Sequence, residues 1–487
     1  MKKFVIIGLF FLFGMLGVYA QNTMPTPVSI PISSLYDTLQ GKVYFIHIVE
    51  KGQTLYSIQK AYNTTLKEII KTSPADQLLL GETLRIPINI PLAKKTKTET
   101  NLVGNDKNKK VPSIHIIAKP HSDTLRIALL LPIYLNEIDS LEPSNKYNKA
   151  NEKLFTYLSF YEGALLAWQE QQENTSVYFE FKVFDVTENV LSVKAALKDP
   201  FLLNANLILS ASFVKSFALL SDFSLKHQIP IIHPLSERDQ MHLENPYFIQ
   251  GTPSSKMQID KWAEYAIAKY PHSNFVVLLD KNQSTNKKAK NFYQNLLNAV
   301  HIGKLKADNI ALYNIADSGF SKLAQRIKTN RDNVVCAFFE REIAFTNTVI
   351  KLHNQNAKIH LLGIDKWLDF DKTEANYLQA LNFEYYSPFF AEYKSTPVAL
   401  FEANYYQMYK TLPNEMAFKG YDYMQSILEL LQKYNTNFIF ELENSSYQGL
   451  GFDFKFVKRE NGGYENTCIH KLKLHNFKFI KQQTPTN

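Results

Sequence analysis

Residues 125–132 read Leu-Arg-Ile-Ala-Leu-Leu-Leu-Pro, and this apolar run begins a regular alternation of strands and helices. In the first helix, apolar residues recur every three or four positions, which is the spacing of one buried face. Nearly continuous apolar strands that alternate with such helices predict parallel sheets covered on both faces, as in an α/β fold. The strands predicted in this way are 125–133, 178–186, 206–211, 230–233, 275–280, 310–314, 333–339 and 359–364.

The alternating region, 124–487, is too long for one ordinary doubly wound sheet, so we expect two lobes. Segments 245–254 and 382–388 each lie between a strand and a helix, and the chain is expected to cross between lobes there. The expected boundaries are about 124–250 and 390–435 for the first lobe, about 251–385 for the second, and 449–480 for the final strands. Helices after the first are predicted at 214–226, 255–270, 287–299, 320–329, 342–354, 397–409 and 419–434.

Several motifs of this region resemble the type I periplasmic-binding-protein family, the branched-chain amino-acid-binding and receptor-ectodomain group. The motifs are Ile127-Ala128-Leu129-Leu130-Leu131-Pro132, Phe160-Tyr161-Glu162-Gly163-Ala164, 229–236, 245–254, Phe401-x-x-x-Tyr405-x-x-x-Tyr409-x-x-x-Pro413, Gly420-Tyr421-Asp422 and the tail at 449–463. The resemblance implies a doubly wound domain of two lobes, which in transport-associated relatives close on a small ligand.

Candidate ligand residues lie where strands end, because open α/β sheets bind ligands beyond the carboxyl ends of their strands, at helix N-termini. The resemblance implies that hydroxyl and backbone N–H groups of the first lobe hold a ligand carboxylate, while acids of the second lobe pair with an ammonium group. The same residue types are also ordinary helix N-caps. The bulky Phe213 and the loop 280–284, which lacks the family's acidic Tyr-Gly-containing sequence, favour capping alone. The candidates are Ser210, Ala211, Ser212, Leu235, Ser236, Asp280, Glu340 and Asp365.

A second patterned unit precedes this region, at 43–90. The order predicted for it is a strand at 43–49, a helix after Thr54, a second helix that begins with a capping box of Thr65 and Glu68, and a closing strand. This βααβ order resembles the LysM family, as do three stretches of sequence. They are Tyr44-x-x-His47-x-Val49-x-x-Gly52-Gln53-Thr54-Leu55-Tyr56-Ser57-Ile58, Ala61-Tyr62-Asn63-Thr64-Thr65 and Leu80-Gly81-Glu82-Thr83-Leu84-Arg85-Ile86-Pro87.

The LysM resemblance implies a shallow groove for glycans that contain N-acetylglucosamine, as in peptidoglycan. One side of the groove would be Gly52, Gln53, Thr54 and Leu55, and the other Ser73, Pro74 and Ala75. Gly52 allows the backbone to approach a sugar closely, and Leu55 offers an apolar floor. Two observations count against this interpretation: Ser73 replaces the family's Asn before Pro74, and 52–55 can be only a turn and a helix cap.

The N-terminus is typical of a secretory signal peptide at 1–20. Lys2 and Lys3 precede an apolar run from Phe4 to Phe13, and Val18-Tyr19-Ala20 fits a cleavage site. The alternative, an uncleaved anchor, would need about 20 apolar residues to span a membrane. No other stretch approaches that length, so we expect a periplasmic or cell-wall-associated protein without a membrane span after cleavage.

The remaining segments are a Pro-containing leader at 21–42 and a polar, Lys-rich segment at 91–123 that predicts a disordered linker. Much of the formal net charge of +8 lies in this linker, and nucleic acid is not expected as a partner of an exported protein. Of the two cysteines, Cys336 lies in an apolar strand and Cys468 near the C-terminus. Two free thiols are favoured over a disulfide.

Enzymatic motifs are missing from the sequence: it contains no His-Glu-x-x-His, Cys-x-x-Cys, Gly-x-Ser-x-Gly or phosphate-loop pattern. We therefore expect no catalytic residues, no metal and no cofactor. The function expected first is a peptidoglycan-tethered binding protein whose large domain engages a wall-synthesis protein. The alternative is a solute-binding protein that captures an amino acid or similar small ligand for transport or sensing. A cell-wall hydrolase is the third hypothesis, and it lacks a catalytic set.

Overall fold

The computed structural model consists of two units, 1–109 and 110–487, which we describe separately. The signal peptide predicted at 1–20 lies outside the described residues, as do most of the predicted leader and linker. The described residues are 30, 36–39, 42–51, 53–62, 64, 69–71, 81–87, 119–141, 152–172, 177–239, 241, 244–281, 283–315, 319–320, 322–371, 374–460 and 462–485.

The first unit contains an antiparallel sheet with the strand order β1-β2-β4-β3 and one described helix, α1. Ile58, Leu84 and Ile86 are fully buried and form the centre of its core. The elements are β1 (Tyr36–Leu39), β2 (Lys42–Ile48), α1 (Leu55–Tyr62), β3 (Ile70–Lys71) and β4 (Thr83–Pro87).

This sheet differs from the predicted βααβ order at two places. Tyr36–Leu39 pairs with β2, although the sequence predicts a flexible leader there. Ile70–Lys71 pairs with Arg85 and Leu84 of β4, where the sequence predicts the second helix. Strand pairing satisfies the backbone groups of these two residues in place of helical bonds. Residues 65–68, the predicted start of that helix, lie outside the described part of the chain.

The second unit alternates strands and helices as predicted. Its strands are β5 (Thr124–Leu131), β6 (Tyr178–Asp185), β7 (Leu207–Ser210), β8 (Ile231–His233), β9 (Phe248–Gln250), β10 (Asn274–Leu279), β11 (Ile310–Asn314), β12 (Asn333–Cys336), β13 (Ile359–Ile364), β14 (Glu384–Ser387), β15 (Ser446–Gln448), β16 (Asp453–Lys458), β17 (Tyr464–Asn466), β18 (His470–His475) and β19 (Lys478–Gln482). Its helices are α2 (Leu135–Ser140), α3 (Glu152–Gln172), α4 (Val190–Ala196), α5 (Pro200–Leu203), α6 (Val214–His227), α7 (Ser255–Lys269), α8 (Gln283–His301), α9 (Glu342–His353), α10 (Ala375–Ala380), α11 (Thr396–Tyr409) and α12 (Glu415–Tyr434).

Two mixed sheets define two lobes. The first lobe has the strand order β15-β16-β17-β9-β8-β7-β5-β6, and the second β11-β10-β12-β13-β14-β18-β19. Strands β5 to β9 run parallel in the first sheet and β10 to β14 in the second, as expected for an α/β fold. Antiparallel strands from the C-terminal tail extend both sheets, so neither sheet is purely parallel.

The helix predicted at 320–329 is wrong. Its described residues form turns with one short 3₁₀ segment, Ala324–Arg326. The buried amide of Asn333 accepts a hydrogen bond from the Lys328 backbone N–H at 2.8 Å and donates one to the Lys328 carbonyl at 2.8 Å. Asn274 also donates to the Arg326 carbonyl, at 2.9 Å. These side-chain bonds compete with the helical backbone bonds of the segment.

The chain passes between the two sheets three times, at 251–254, 388–395 and 467–469. The first two crossings directly follow β9 and β14, which are short strands within the segments predicted to cross. The third follows β17 and was not predicted. Ser254 links the first crossing to β17, the strand before the third crossing, because its backbone N–H donates to the Glu465 carboxylate at 2.9 Å.

His470 lies where the third crossing ends, and it is 3% exposed. Its Nε2 donates to the Gly451 carbonyl at 3.0 Å, and its Nδ1 lies 3.7 Å from the Asp453 carboxylate. Lys481 of the second lobe pairs with the same carboxylate at 3.0 Å. Burial and the charge of the nearby Lys481 together lower the pKa of His470 to about 4, against the opposing charge of Asp453.

We expect the stability of the second unit to fall as the pH decreases from 6.5 towards 4. Folding lowers the pKa of His470, so the neutral ring is favoured in the folded state, while the unfolded chain takes up a proton below pH 6.5. The stabilisation is complete above pH 6.5 and is lost towards pH 4, to a total of about 3 kcal/mol. Urea unfolding at several pH values measures it, and a His470→Gln variant that kept the same slope over this window would contradict the assignment.

Candidate functional site

The carboxyl ends of the parallel strands in the two lobes lie on the side where the chain crosses between the sheets. An ion pair connects the lobes there: Lys287 of α8 lies 2.9 Å from the Asp239 carboxylate, in the loop after β8. Tyr386 of β14 is also close to both lobes. Burial raises the pKa of its hydroxyl, and the charges of Asp365, Glu237 and Glu340 raise it further. We call the space between these strand ends the interlobe cleft.

The serines predicted in the first lobe bond to one another. Ser210 is fully buried, and its hydroxyl donates to the hydroxyl of Ser212 at 3.0 Å. The Ser212 carbonyl accepts a bond from Nε2 of His233 at 3.3 Å. Ala211 is 4% exposed, and its N–H donates to the Leu130 carbonyl at 3.1 Å. These groups thus fix the loop after β7.

The other two predicted residues of the first lobe surround the same histidine. The backbone N–H groups of Leu235 and Ser236 donate to Nδ1 of His233 at 3.3 and 3.1 Å. The Ser236 hydroxyl accepts from the Arg238 backbone N–H at 3.3 Å. Because Nδ1 accepts two N–H groups, the ring proton lies on Nε2 and the ring is neutral. His233 therefore connects the ends of β7 and β8.

The three acids predicted in the second lobe differ in their partners. Asp280 is 6% exposed, accepts a bond from Thr285 at 2.8 Å and lies 3.6 Å from the Arg341 guanidinium. Glu340 lies 3.4 Å from the Lys288 ammonium. Two acids therefore have cations of their own lobe beside them.

Asp365, the third acid, has uncharged donors. It accepts from the Ser387 hydroxyl at 3.2 Å and the Lys366 backbone N–H at 2.8 Å. Its side chain is exposed to solvent. The surrounding protein nevertheless removes part of the water around the carboxylate, and this desolvation raises its pKa.

Glu415 of the first lobe is likewise an exposed carboxylate whose pKa is raised. It lies in the first turn of α12, and 55% of its side chain is exposed. Burial still raises its pKa, and the charge of Asp365 contributes in the same direction. A carboxylate of the first lobe and one of the second therefore interact across the cleft.

Lys419 is a cleft residue that our sequence analysis missed. It lies one turn after Glu415 and is only 8% exposed, although Lys is rarely buried without a partner. Its ammonium lies over the Phe452 ring, 4.6 Å from the centroid, and 3.9 Å from the Glu415 carboxylate. Among the described residues, none hydrogen-bonds to this ammonium. Burial lowers its pKa, against the opposing charges of Glu415 and Glu237.

The glycan groove predicted in the first unit is described only on one side. Gln53 is used locally: its Oε1 accepts from the Glu50 backbone N–H at 3.0 Å and lies 2.8 Å from His47 Nε2. Thr54 caps α1, because its hydroxyl accepts from the Ser57 backbone N–H at 3.1 Å. Leu55 packs against the core. Gly52, Ser73, Pro74 and Ala75 lie outside the described residues, so glycan binding stays a prediction.

Two further properties concern only the described residues. They contain no group of three or more His, Cys, Asp or Glu side chains placed to hold a metal ion. None of their helices combines the length and the apolar composition that a membrane crossing requires. Cys336 is buried and Cys468 partly buried, and both are free thiols, as favoured from the sequence.

The fold and the cleft define a class of protein: a two-lobed α/β binding protein whose lobes are joined by three crossings. Residues 206–471, more than half of the chain, match the family described as Periplasmic binding protein. The chain belongs to this family, and the resemblance stated for its large region is confirmed. Membership fits an exported, periplasmic protein.

The chain is also similar to several solved structures. A protein from Rhodospirillum rubrum, named for branched-chain amino acid ABC transport, has a TM-score of 0.53 at 13% identity, over 74% of this chain and 100% of that one. A periplasmic ligand-binding protein of a branched-chain amino acid ABC transporter from Burkholderia xenovorans has a TM-score of 0.48 at 10% identity, over 74% and 94%. A substrate-binding protein from Desulfitobacterium hafniense in complex with Leu has 0.45 at 14%, over 74% and 100%. No curated protein matches the chain.

These comparisons correct our first functional hypothesis. We expected a peptidoglycan-tethered protein whose large domain engages a wall-synthesis protein. The matched family consists of periplasmic binding proteins, and the match covers the two-lobed region on which the hypothesis placed the protein partner. The wall-tethered hypothesis is therefore wrong, and the findings favour the solute-binding alternative.

Proposed function

We propose that this chain is a non-catalytic solute-binding protein that holds an amino acid, or a similar small zwitterion, in the interlobe cleft for transport or sensing. The observation that carries the proposal is the Lys419 ammonium. It is nearly buried, none of the described residues accepts a hydrogen bond from it, and it pairs at 3.9 Å with Glu415, a carboxylate that interacts with Asp365 of the second lobe. Family membership supports the same conclusion.

The cleft charges suit a ligand that carries both signs. A ligand carboxylate would supply the acceptor that Lys419 lacks, and such a charge-assisted bond is stronger than one between neutral groups. Asp365 of the second lobe would accept from a ligand ammonium. Because Lys419 and Asp365 belong to different lobes, a zwitterion that contacts both would favour the closed arrangement.

The proposal predicts that an amino acid raises the thermal unfolding temperature of the full chain. A ligand at 1,000 times its Kd stabilises the folded state by about 4 kcal/mol. The measurement is a thermal-shift screen of the twenty amino acids and of small aromatic carboxylates, on protein unfolded and refolded to remove bound ligand. No rise with any of them would contradict the proposal.

The variant Lys419→Met tests the site itself. It should weaken binding of the stabilising amino acid at least tenfold and still fold, because the Glu415 carboxylate left without its partner is 55% exposed and remains solvated. The control is Lys194→Met, the same change at an exposed position of α4. Equal affinity of Lys419→Met and the control, by calorimetric titration, would refute the assignment of Lys419.

For the first unit we propose membership of the LysM family, supported by its antiparallel sheet, helix α1 and the motifs quoted above. The test is a solution structure of residues 30–90. A second helix that begins at Thr65 would support the proposal, and an extended segment throughout 64–71 would contradict it.

A further inference from the structure

A cavity of about 300 Å³ opens on the first lobe, between the C-terminal half of α12 and strands β15 and β16. It is separate from the interlobe cleft: Glu429 lies ten residues after Lys419 on α12, which is about 15 Å along the helix axis. Its volume is at the lower end of the range of small-molecule sites. Residues that line it include Glu429, Leu430, Lys433, Tyr447, Phe454 and Phe456.

Aromatic rings form one wall of this cavity. The rings of Phe454 and Phe456 are nearly parallel, with centroids 6.2 Å apart, and Tyr447 stacks on Phe454 at 6.0 Å. Phe454 is 2% exposed and Phe456 7% exposed, so the rings are held in the core of the lobe. Aromatic faces carry partial negative charge and attract cations.

A carboxylate, that of Glu429, lines the same cavity as these rings. Glu429 is exposed, yet partial removal of water by the surrounding protein raises its pKa, and its charge raises the pKa of the Tyr447 hydroxyl of the same cavity. Lys433 lies one turn further on, where it would ordinarily pair with Glu429. Its ammonium instead lies over the Tyr434 ring, 4.8 Å from the centroid. Among the described residues, none forms an ion pair or hydrogen bond with Glu429.

We propose that this cavity is a second binding site, for a small organic cation that carries a primary ammonium group on an apolar body. The body would lie against Tyr447, Phe454 and Phe456, and the ammonium would pair with Glu429. The charge preference is opposite to that of Lys419 in the cleft, where the protein supplies the cation. The site does not depend on what the cleft binds.

The test is calorimetric titration of the full chain with 2-phenylethylammonium at pH 7. Two probes of the same shape serve for comparison, neutral 2-phenylethanol and anionic phenylacetate. We expect one molecule of the cation to bind, at least tenfold more tightly than either comparison compound. Equal or tighter binding of the alcohol or the anion would overturn the proposal, as would no binding of the cation.

Variants locate the site. Glu429→Gln removes the charge and keeps the shape, and it should weaken binding of 2-phenylethylammonium at least tenfold. Glu460→Gln, the same change at an exposed residue of the first lobe, and Lys419→Met, in the cleft, should bind it as the unchanged protein does. Full affinity in Glu429→Gln would overturn the proposal, and loss in Lys419→Met alone would place the probe in the cleft, which also overturns it.

Discussion

Gly420→Ala is expected to destabilise the protein by about 4 kcal/mol, above the usual range for overpacked cores. A Cβ at Gly420 would lie 1.9 Å from the carbonyl oxygen of Phe160, and one at Gly163 would lie 2.0 Å from that of Ala417. Helices α3 and α12 therefore meet backbone to backbone, and no side-chain rotation can relieve the collision. Urea unfolding followed by the fluorescence of Trp168, on α3, measures the loss.

The direction of the Gly420→Ala stability change distinguishes a close helix–helix contact from a free helical position. Alanine is favoured over glycine within a helix by about 1 kcal/mol, so a free helical position would gain stability. The reverse change at an exposed position of α11, Ala403→Gly, should cost about 1 kcal/mol and serves as the control. An unchanged or more stable Gly420→Ala protein would show that the two helices do not meet as described.

Glu384→Ala should cost about 4 kcal/mol, because removal of one member of a buried charge pair leaves the charge of the other member uncompensated. Glu384 is fully buried in β14 and is the acceptor for three groups of the second lobe. The hydroxyls of Tyr265 and Tyr270 donate to it at 2.6 and 2.7 Å, and the Lys269 ammonium at 2.9 Å. Burial lowers the pKa of Lys269, and the charge of Glu384 opposes this effect.

The control for Glu384→Ala is Glu264→Ala on α7, the helix that carries Lys269. Glu264 pairs with Lys261 at 2.8 Å, but its side chain is 60% exposed, so its loss should cost at most about 1 kcal/mol. Trp262 stacks on Tyr265 at 5.1 Å and reports unfolding of this lobe by fluorescence. Similar losses in the two variants would contradict the assigned role of Glu384.

The sequence predicts much of the central fold because apolar strands and helix faces have distinct periods. Strands β11 and β13 begin and end where predicted. The glycines of two quoted motifs, Gly163 and Gly420, mark helices α3 and α12, which meet at these two residues. On the neighbouring helix α11, Tyr405 donates to the Glu162 carboxylate and Tyr409 to the Glu162 carbonyl, so the tyrosine motif also reflects packing on α3.

Two short strands, β14 and β9, were missed. Strand β14 begins with Glu384, a charged residue that no periodicity argument places in a core. It is buried because its partners come from α7, more than one hundred residues earlier in the chain. Strand β9 is only three residues long and lies in a segment that was predicted to cross between the lobes. Pairing with distant strands determines such elements, and a local pattern carries little of that information.

The candidate site could be predicted only in outline. Strand ends indicated the edges of both sheets that lie at the proposed cleft, but the serines chosen there bond to one another and to His233. Lys419 was missed because a helical Lys is normally a solvated residue. One signal could have identified it: it lies between Phe418 and Gly420, within the buried face of α12, rather than among exposed charges.

We expect the two lobes to close on a small zwitterion. The most direct measurement is the distance between spin labels at Lys215→Cys, at the start of α6 in the first lobe, and Lys281→Cys, after β10 in the second, with Cys468→Ser to avoid a third label. Stripped protein is compared with protein in a mixture of the twenty amino acids. We predict a shorter distance with the mixture in the double-labelled protein, and no change when Lys419→Met is added. The same distances with and without the mixture would contradict the account.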